Sequence, residues 1–393
     1  NSRDISDCYF GINLENCYEC VNVSESNHIF FGKNTFDSFN SSLVLNCRNI
    51  NDCFCCVNLL NKSYCIFNKQ LTREEYKKRL EEVIGSYSKM KEAQEKFNQF
   101  SLQFPRRENN NLKTMDSTGD YLFECKDVKE SFEIARAENC KYLFSSKEIK
   151  DSMGTIGYGF KSGMLLECVA TGYSSNVMGS YAVENSQNIF YSFQCRNCKD
   201  CIGCDGLRNV SYCILNKQYT KEKYEEIKTH IVEELREKDL YGLMMPVELA
   251  PLAYNETIAQ DNMPLTKKEV LEQGFRWEDD IQKTEGKETM KQEEIQDHIK
   301  DIPDSVTDEI LQCIDCNRNY KITNQELSFY RKMILPIPRK CFYCRHKDRI
   351  ACRGSYKFWK RVCDKCKKEI TTNYALDRPE IVYCETCYQQ EIY

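Results

Sequence analysis

Histidine is scarce in this chain: His28, His230, His298 and His346 are the only four in 393 residues, and they fall in different segments. A histidine-based catalytic cluster would have to be assembled by the fold alone, and His346, two residues past Cys344, reads as an exposed basic residue. There is no Gly-x-x-x-x-Gly-Lys phosphate loop, no nucleophile elbow and no His-Glu-x-x-His helix. Asp and Arg do not cluster as polysaccharide-lyase chemistry on a β-helix would need. No stretch approaches the roughly 18 apolar residues of a membrane span. An initiator methionine is also missing. The chain opens at Asn1 directly in repeat-like sequence, from which we expect a further N-terminal part. These absences lead us to expect a protein that is not an enzyme, takes no small-molecule substrate and does not enter a membrane.

Cysteine, by contrast, is abundant, at 25 residues. The chain is far longer than a small secreted disulfide scaffold. Four Cys-x-x-Cys pairs close it: Cys313/Cys316, Cys341/Cys344, Cys363/Cys366 and Cys384/Cys387. A Cys-x-x-Cys on a tight turn aims both sulfurs at one tetrahedral metal, and two such turns complete the shell. Two structural Zn2+ ions are expected, and zinc thiolates favour a reducing, cytoplasmic setting. Spacing alone leaves the pairing open, because the two middle pairs would also make a four-cysteine site.

Repetition is the second signal. Shifting the chain by 148 residues lays Cys47-Arg48-Asn49 on Cys195-Arg196-Asn197, Ser63-Tyr64-Cys65-Ile66 on Ser211-Tyr212-Cys213-Ile214, and Asn68-Lys69-Gln70 on Asn216-Lys217-Gln218. This is an internal duplication. Within the second copy a step of twelve or thirteen residues returns Asn, Asp or Gly at a corner, as at Asn139, Asp151, Asn176, Asn188 and Asp200. In the first copy the steps look uneven, at Asp7, Asn16, Asn27 and Asp52. So short a repeat suits one coil of a β-solenoid. Stacked coils would put Cys8, Cys17, Cys20, Cys53, Cys55, Cys56, Cys65, Cys140, Cys168, Cys195, Cys198, Cys201, Cys204 and Cys213 in core ladders. Asparagine at a corner could bond its image one coil away. A sharper alternative makes Cys195, Cys198, Cys201 and Cys204 a further metal or redox site.

Each unit leads into a helix. Thr72-Arg-Glu-Glu75 is a capping box, and a second helix follows Thr220. The expected fold is mainly β: a first β-solenoid unit at 1–71 with a capping helix at 72–100, a linker at 101–119, and a second solenoid unit at 120–219 with its capping helix at 220–241. An acidic linker with a short helix at 242–308 follows, then two zinc ribbons at 309–350 and 351–393. The helices should cover open solenoid ends, and Glu278 to Asp308 should be extended or partly disordered.

Between Arg331 and Lys368 fourteen Lys or Arg stand against two Asp, with aromatic residues interleaved. Basic groups neutralise phosphates and exposed rings stack unpaired bases. Lys340, Arg345, Lys347, Arg349, Arg353, Lys357, Lys360 and Arg361 are the phosphate candidates, and Tyr356 and Trp359 the stacking candidates. The competing reading has this stripe dock on the acidic stretch or on an acidic solenoid face.

The run Cys313-Ile-Asp-Cys316, Glu326-Leu-Ser-Phe329-Tyr330, Leu335-Pro336-Ile-Pro338, Cys341-Phe-Tyr-Cys344 resembles small bacterial zinc-ribbon domains. That resemblance implies one ribbon on Cys313, Cys316, Cys341 and Cys344 and a second on Cys363, Cys366, Cys384 and Cys387. The whole layout, with Asn-Cys coils, Asn-Lys-Gln ends, Gly274-Phe-Arg-Trp277 and paired ribbons, resembles uncharacterised cysteine-rich proteins of candidate-phyla bacteria. It implies architecture and a cytoplasmic bacterial origin, and ribbons ahead of the solenoid. The expected function is a modular zinc protein that binds RNA, ribosomal RNA foremost, with the solenoid as rigid scaffold; the alternative is a structural or assembly protein contacting other protein subunits.

Overall fold

From Asp4 to Phe67 the backbone enters the left-handed region at every third residue in the computed structural model, which describes residues 2–392. Hydrogen bonding follows an equally strict rule. Arg3 pairs with Glu15, Tyr9 with Val21, Asn27 with Phe39 and Asn51 with Ser63, all parallel, so each residue lies beside the one twelve further on. Seven strands between Arg3 and Gln70 thereby join in sequence order. A second sheet of eleven strands between Gly119 and Gln218 obeys the same register. It slips once, where Ile149 pairs with Ser162, thirteen residues on.

Residue chemistry explains both rules. A left-handed backbone costs an ordinary L residue about 1–2 kcal/mol, and short polar side chains such as Asn and Asp tolerate it best. Asn13, Asn16, Asn22, Asn34, Asn46, Asn49, Asn58 and Asn61 take such corners in the first sheet, and among the described residues no β-branched side chain does so in either sheet. The residue after each corner turns inward: Leu14, Cys17, Cys20, Val23, Cys47, Ile50, Cys53 and Cys56 are all buried together. That position takes aliphatic, cysteine or serine side chains, and the cysteines and serines donate. Cys17 Sγ gives its hydrogen to the Glu15 carbonyl at 3.3 Å, Cys56 to Phe54 at 3.3 Å, and Ser38 Oγ to Phe36 at 2.7 Å. Serine also accepts from the next rung, as Ser38 Oγ does from the Ile50 amide. The uneven steps of the first copy were counts between different corners of one even twelve-residue register.

Corner amides bond from rung to rung, as the sequence leads one to expect: Asn22 Nδ2 donates to Asn34 Oδ1 at 2.9 Å, Asn34 to Asn46 at 3.0 Å, and Asn176 to Asn188 at 2.9 Å. The duplicated Asn-Lys-Gln triplet ends each parallel ladder. Asn68 pairs the Val57 backbone with both side-chain atoms, at 2.9 Å each, and Asn216 does the same to Asp205 at 2.8 and 2.9 Å. The chain then folds back antiparallel over Lys69–Gln70 or Lys217–Gln218, leaving no open parallel edge at that end.

Among the described residues eight α-helices accompany the sheets: α1 (Arg73–Glu81), α2 (Tyr87–Ser101), α3 (Lys221–Glu237), α4 (Ile258–Asn262), α5 (Lys267–Glu272), α6 (Asn324–Met333), α7 (Phe342–Arg353) and α8 (Glu385–Ile392). The fold is mixed α/β, two sheet-and-helix modules with two C-terminal clusters of four cysteines. The chain divides into two compact units. One holds residues up to Glu108, Tyr254–Thr266 and everything from Trp277 on; the other holds Asn109–Ala253 and Lys267–Arg276.

Four expectations need correction. The helix at 72–100 is two helices, because Gly85 takes φ +82° and Ser86 opens a new N-cap. Both modules use their helices along a lateral ladder: α2 buries Met90, Ala93 and Phe97 on Leu43, Cys55 and Val57, and α3 buries Tyr224 on Met178, Phe190, Ile202 and Ile214. The second half of the stretch Glu278 to Asp308 is packed, since Ile295, Ile299, Ile302 and Val306 are buried with Leu327, Tyr330 and Met333 of α6, while 278–291 is irregular and mostly exposed. Its acids face outward while sparse aliphatic residues fill one core, a pattern that low overall hydropathy conceals. Within 101–119, Arg106–Arg107 forms a strand paired in parallel with Val382–Tyr383.

Candidate metal centres and the basic stretch

Each pair of Cys-x-x-Cys motifs is built in the same way. The first pair sits on a tight turn: the Cys313 amide donates to Arg318 O at 2.9 Å and Asn317 takes φ +60°, while Cys363 bonds Lys368 O at 2.8 Å with Lys367 at φ +64°. The second pair opens a helix, with Cys341 as N-cap of α7 and Cys384 just before α8. Free amide hydrogens and the positive end of the helix dipole then face the sulfurs and favour thiolate.

All four sulfurs of Cys313, Cys316, Cys341 and Cys344 lie within 4.8 Å of one another, and so do those of Cys363, Cys366, Cys384 and Cys387. Cys316 Sγ and Cys341 Sγ stand 3.6 Å apart, and Cys366 Sγ and Cys384 Sγ 3.7 Å. A tetrahedron with Zn–S bonds of about 2.3 Å has edges of about 3.8 Å. The donor set and spacing therefore fit one structural zinc ion per cluster, closed by four thiolates. The pairing is the one that the zinc-ribbon resemblance implies, but in the first cluster only the first cysteine pair lies on a β hairpin, Leu311–Gln312 against Asn319–Tyr320. Thr323 to Met333 is a capped helix, with Thr323 and Glu326 forming a capping box, and the second cysteine pair lies on α7.

Burial opposes ionisation of Cys363, but amide donors from Cys366, Cys384 and Lys365 outweigh it and bring the thiol down to about 6. Cys313 is brought to about 7 by the same contest. Their cluster partners Cys341 and Cys384 are raised, burial being the first cause, and the ladder cysteines are mixed: hydrogen bonds from Cys20 and Cys56 lower Cys17 and Cys53. Burial pushes Cys47 and Cys195 up to about 12 and Cys140 and Cys168 to about 11, which leaves them protonated and unreactive. Cys204 is the exception in its neighbourhood, drawn down to about 7 by a hydrogen bond from Cys201. Among the described residues, Cys195, Cys198, Cys201 and Cys204 do not form a metal-sized cluster. Each sulfur instead meets the carbonyl two residues back, at 3.3 to 3.5 Å.

The basic stretch is divided: its lysines are mostly exposed, while four of its arginines, Arg339, Arg345, Arg349 and Arg353, turn inward. Arg345, Arg349 and Arg353 are buried. Arg345 Nη2 lies 2.9 Å from Asp7, and Arg349 lies 3.1 Å from Asp7 and 2.8 Å from Glu19. Arg353 donates to Tyr9 Oη at 3.1 Å and to Asn262 at 2.8 Å, with its guanidinium 3.7 Å from the centre of the Tyr356 ring. Lys340 is held between Asp315 and Asp348, and Arg361 bonds the carbonyls of Ala375 and Glu380. Of the eight cations expected on phosphate, only Lys347, Lys357 and Lys360 are exposed. Arg345, Arg349 and Arg353 are instead internal ties, and Tyr356 is half-buried with its hydroxyl on Tyr9 at 2.9 Å. Trp359 is half-buried in a two-stranded sheet. No sequence signal marked Asp7 and Glu19 as partners of residues more than 320 positions away.

The second cluster is tied in as well. Arg107 makes a two-pronged bond to Glu385, at 3.0 and 2.8 Å, Glu108 caps the first turn of α8 by accepting from the Glu385 amide at 2.9 Å, and Tyr388 Oη meets Asn58 at 3.0 Å. No helix among the described residues is long and apolar enough to cross a membrane.

No family model matches this chain, and no curated protein does. Among solved structures, it is similar to a protein assigned as an acetyltransferase from Desulfovibrio desulfuricans G20, at 11% identity over 57% of this chain and 69% of that one, with a TM-score of 0.11. It is also similar to a UDP-N-acetylglucosamine O-acyltransferase from Moraxella catarrhalis RH4, at 7% identity over 61% and 90%, again with a TM-score of 0.11. At such scores neither likeness bears on the fold or chemistry of this chain.

Proposed function

We propose that the chain is a non-enzymatic scaffold protein: two tandem β-solenoids, each a coil of twelve residues with four left-handed corners, whose zinc-organised C-terminal segment is fastened to the first. Its partners in this reading are other protein subunits in a reducing compartment. The observation that carries it is the burial of Arg345 and Arg349 on Asp7 and Glu19. A phosphate-gripping face would leave those guanidinium groups in water. Apolar side chains on the second module also support protein contacts, since Tyr142, Met153, Ile156, Tyr158, Met164 and Tyr173 are all exposed. Closed four-thiolate sites leave no open metal position for a substrate, in keeping with structural ions.

Binding of RNA or the ribosome is the second reading, favoured by the exposed Lys347, Lys357 and Lys360. Size-exclusion chromatography of protein from its native source, read at 260 and 280 nm, separates the two. A discrete protein oligomer free of nucleic acid supports the scaffold. Co-eluting RNA whose affinity falls, with a flatter salt dependence, when the three lysines are changed to Glu supports the second reading.

A further inference from the structure

Helix α7 carries two kinds of chemistry within twelve residues. Its N-terminal end supplies Cys341 and Cys344 to the first four-thiolate site, and Arg345, Arg349 and Arg353, spaced four apart, fall on one face. That face meets the first sheet module. Asp7 accepts from Arg345 Nε at 2.9 Å, Glu19 accepts from Arg349 Nη1 at 2.8 Å, and Tyr9 accepts from Arg353. The Asp7 side chain is 2% exposed, Arg349 5% and Arg345 8%. Charges buried so deeply are tolerated only when their partners are already in place.

A twelve-residue helix is marginal in water without tertiary support. What fixes the start of α7 is the set of four sulfurs, and Arg345 directly follows one of them. We propose that metal occupancy at Cys313, Cys316, Cys341 and Cys344 and docking of the α7 arginine face on Asp7 and Glu19 are thermodynamically linked, so that this zinc site acts as a latch closing the C-terminal segment on the first module. Metal bound at the site orders the arginine face, and the docked face in turn holds the sulfurs at metal spacing.

The duplication adds an internal comparison. Counting back along the ladders from the matched Ile66 and Ile214, and allowing for the thirteen-residue step, Asp7 corresponds to Gly154 and Glu19 to Glu167. A Cβ on Gly154 would lie 2.2 Å from Glu167 Oε1, so the remaining carboxylate fills the place where the first module has its second acid. Only the first module presents the acidic pair.

Linkage is reciprocal, which makes it measurable from both ends. The inference rests on metal occupancy of the first site, and bound zinc per chain is measured first: fewer than two ions would defeat the metal reading itself, separately from the latch. With two ions bound, the Asp7→Asn/Glu19→Gln double variant of the full chain is titrated against a chromophoric zinc chelator. We expect one of its two zinc affinities to fall about 5- to 150-fold, the usual span of such couplings, while the other, belonging to Cys363, Cys366, Cys384 and Cys387, holds. Two unchanged affinities in a folded variant would overturn the latch. Should the variant not fold, hydrogen exchange on a Cys313→Ser/Cys316→Ser variant, which lacks the first metal alone, decides: exchange in Tyr9–Tyr18 is expected to rise at least tenfold over the unaltered chain, and unchanged protection there would overturn the proposal.

Discussion

Asn22, Asn34, Asn46 and Asn58 stand in the first module where the second has Ala170, Ala182, Gln194 and Gly206. Asn22, Asn34 and Asn46 form a bonded amide ladder, while Asn58 donates to the Pro105 carbonyl and accepts from Tyr388 of the C-terminal segment. In the second module three of the four corners lose their amides, Gln194 keeping one, and a groove of about 430 Å³ opens along Ala170, Ala182, Gln194 and Gly206 beside Glu184 and Arg196. The acidic corner pair Asp7 and Glu19 is likewise reduced to Gly154 and Glu167. One backbone rule thus tolerates very different corners. The copy that receives the cysteine clusters is the one with filled ladders and paired acids, while the other keeps its outer faces open. Inward positions are filled by Cys, Ser, Thr and aliphatic side chains in both modules.

Metal removal should give the largest contrast between the modules. Structural zinc contributes apparent binding energies of about 10–16 kcal/mol to its domain, and both clusters belong to the unit that holds the first module. Chelation with a strong competitor is expected to abolish hydrogen-exchange protection in α7 and α8 and weaken it in Tyr9–Tyr18, leaving Lys199–Ile202 protected as before. Equal loss in both modules would break the comparison.

Next come the acids. Asp7→Asn leaves Arg345 and Arg349 short of a buried partner, a change that costs about 3–5 kcal/mol. Glu167→Gln, at the corner that corresponds to Glu19, should shift stability by no more than about 0.5 kcal/mol, because no arginine pair faces it. Urea titration of both variants tests the asymmetry, and similar losses would refute it.

How far the sequence anticipates these results depends on the range of the interaction. Cys313 to Cys387, the Thr72–Glu75 box and the Asn-Lys-Gln ends are local patterns, and local geometry suffices to read them. Asparagine ladders were legible because the repeat is short. The three-residue beat was hidden, since a left-handed corner accepts Phe10, Leu43 or Tyr64 as well as Asn, so polar corners alone give a broken rhythm. The direction of Arg345, Arg349 and Arg353 was beyond reach: their partners lie at the other end of the chain, and a basic helix looks the same whether it faces phosphate or carboxylate. The stretch from Ile295 to Val306 was misjudged for a related reason, because four aliphatic residues bury it only once α6 supplies the opposite wall.

Glu19 should give a pH signature. Burial, ahead of the pull of Arg349, pushes its carboxyl from 4.5 up to about 7. A raised carboxyl keeps its proton longer in the folded chain, so its contribution is fully present below about 4.5 and lost as pH rises to about 7. Between pH 5.5 and 7.5 the stability difference between the unaltered chain and Glu19→Gln should therefore change with pH, with a slope below the ~1.4 kcal/mol per unit of one full proton. A pH-independent difference would place the Glu19 titration elsewhere.

The smallest effect concerns the corner ladders, where opposite substitutions should have opposite signs. Asn34 takes φ +49° and Ala182 φ +55°, so both backbones carry the left-handed cost, which Asn bears better than Ala. Asn34→Ala removes the bonds to Asn22 and Asn46 and is expected to cost about 1–2 kcal/mol. Ala182→Asn needs no backbone change, restores a residue suited to the corner and places an amide one rung from Gln194. It should stabilise the second module by about 0.5–1 kcal/mol, read as a rise in its urea midpoint. If Ala182→Asn instead destabilises, the groove of the second module is shaped by something other than the loss of its amides, and the two ladders are not variants of one design.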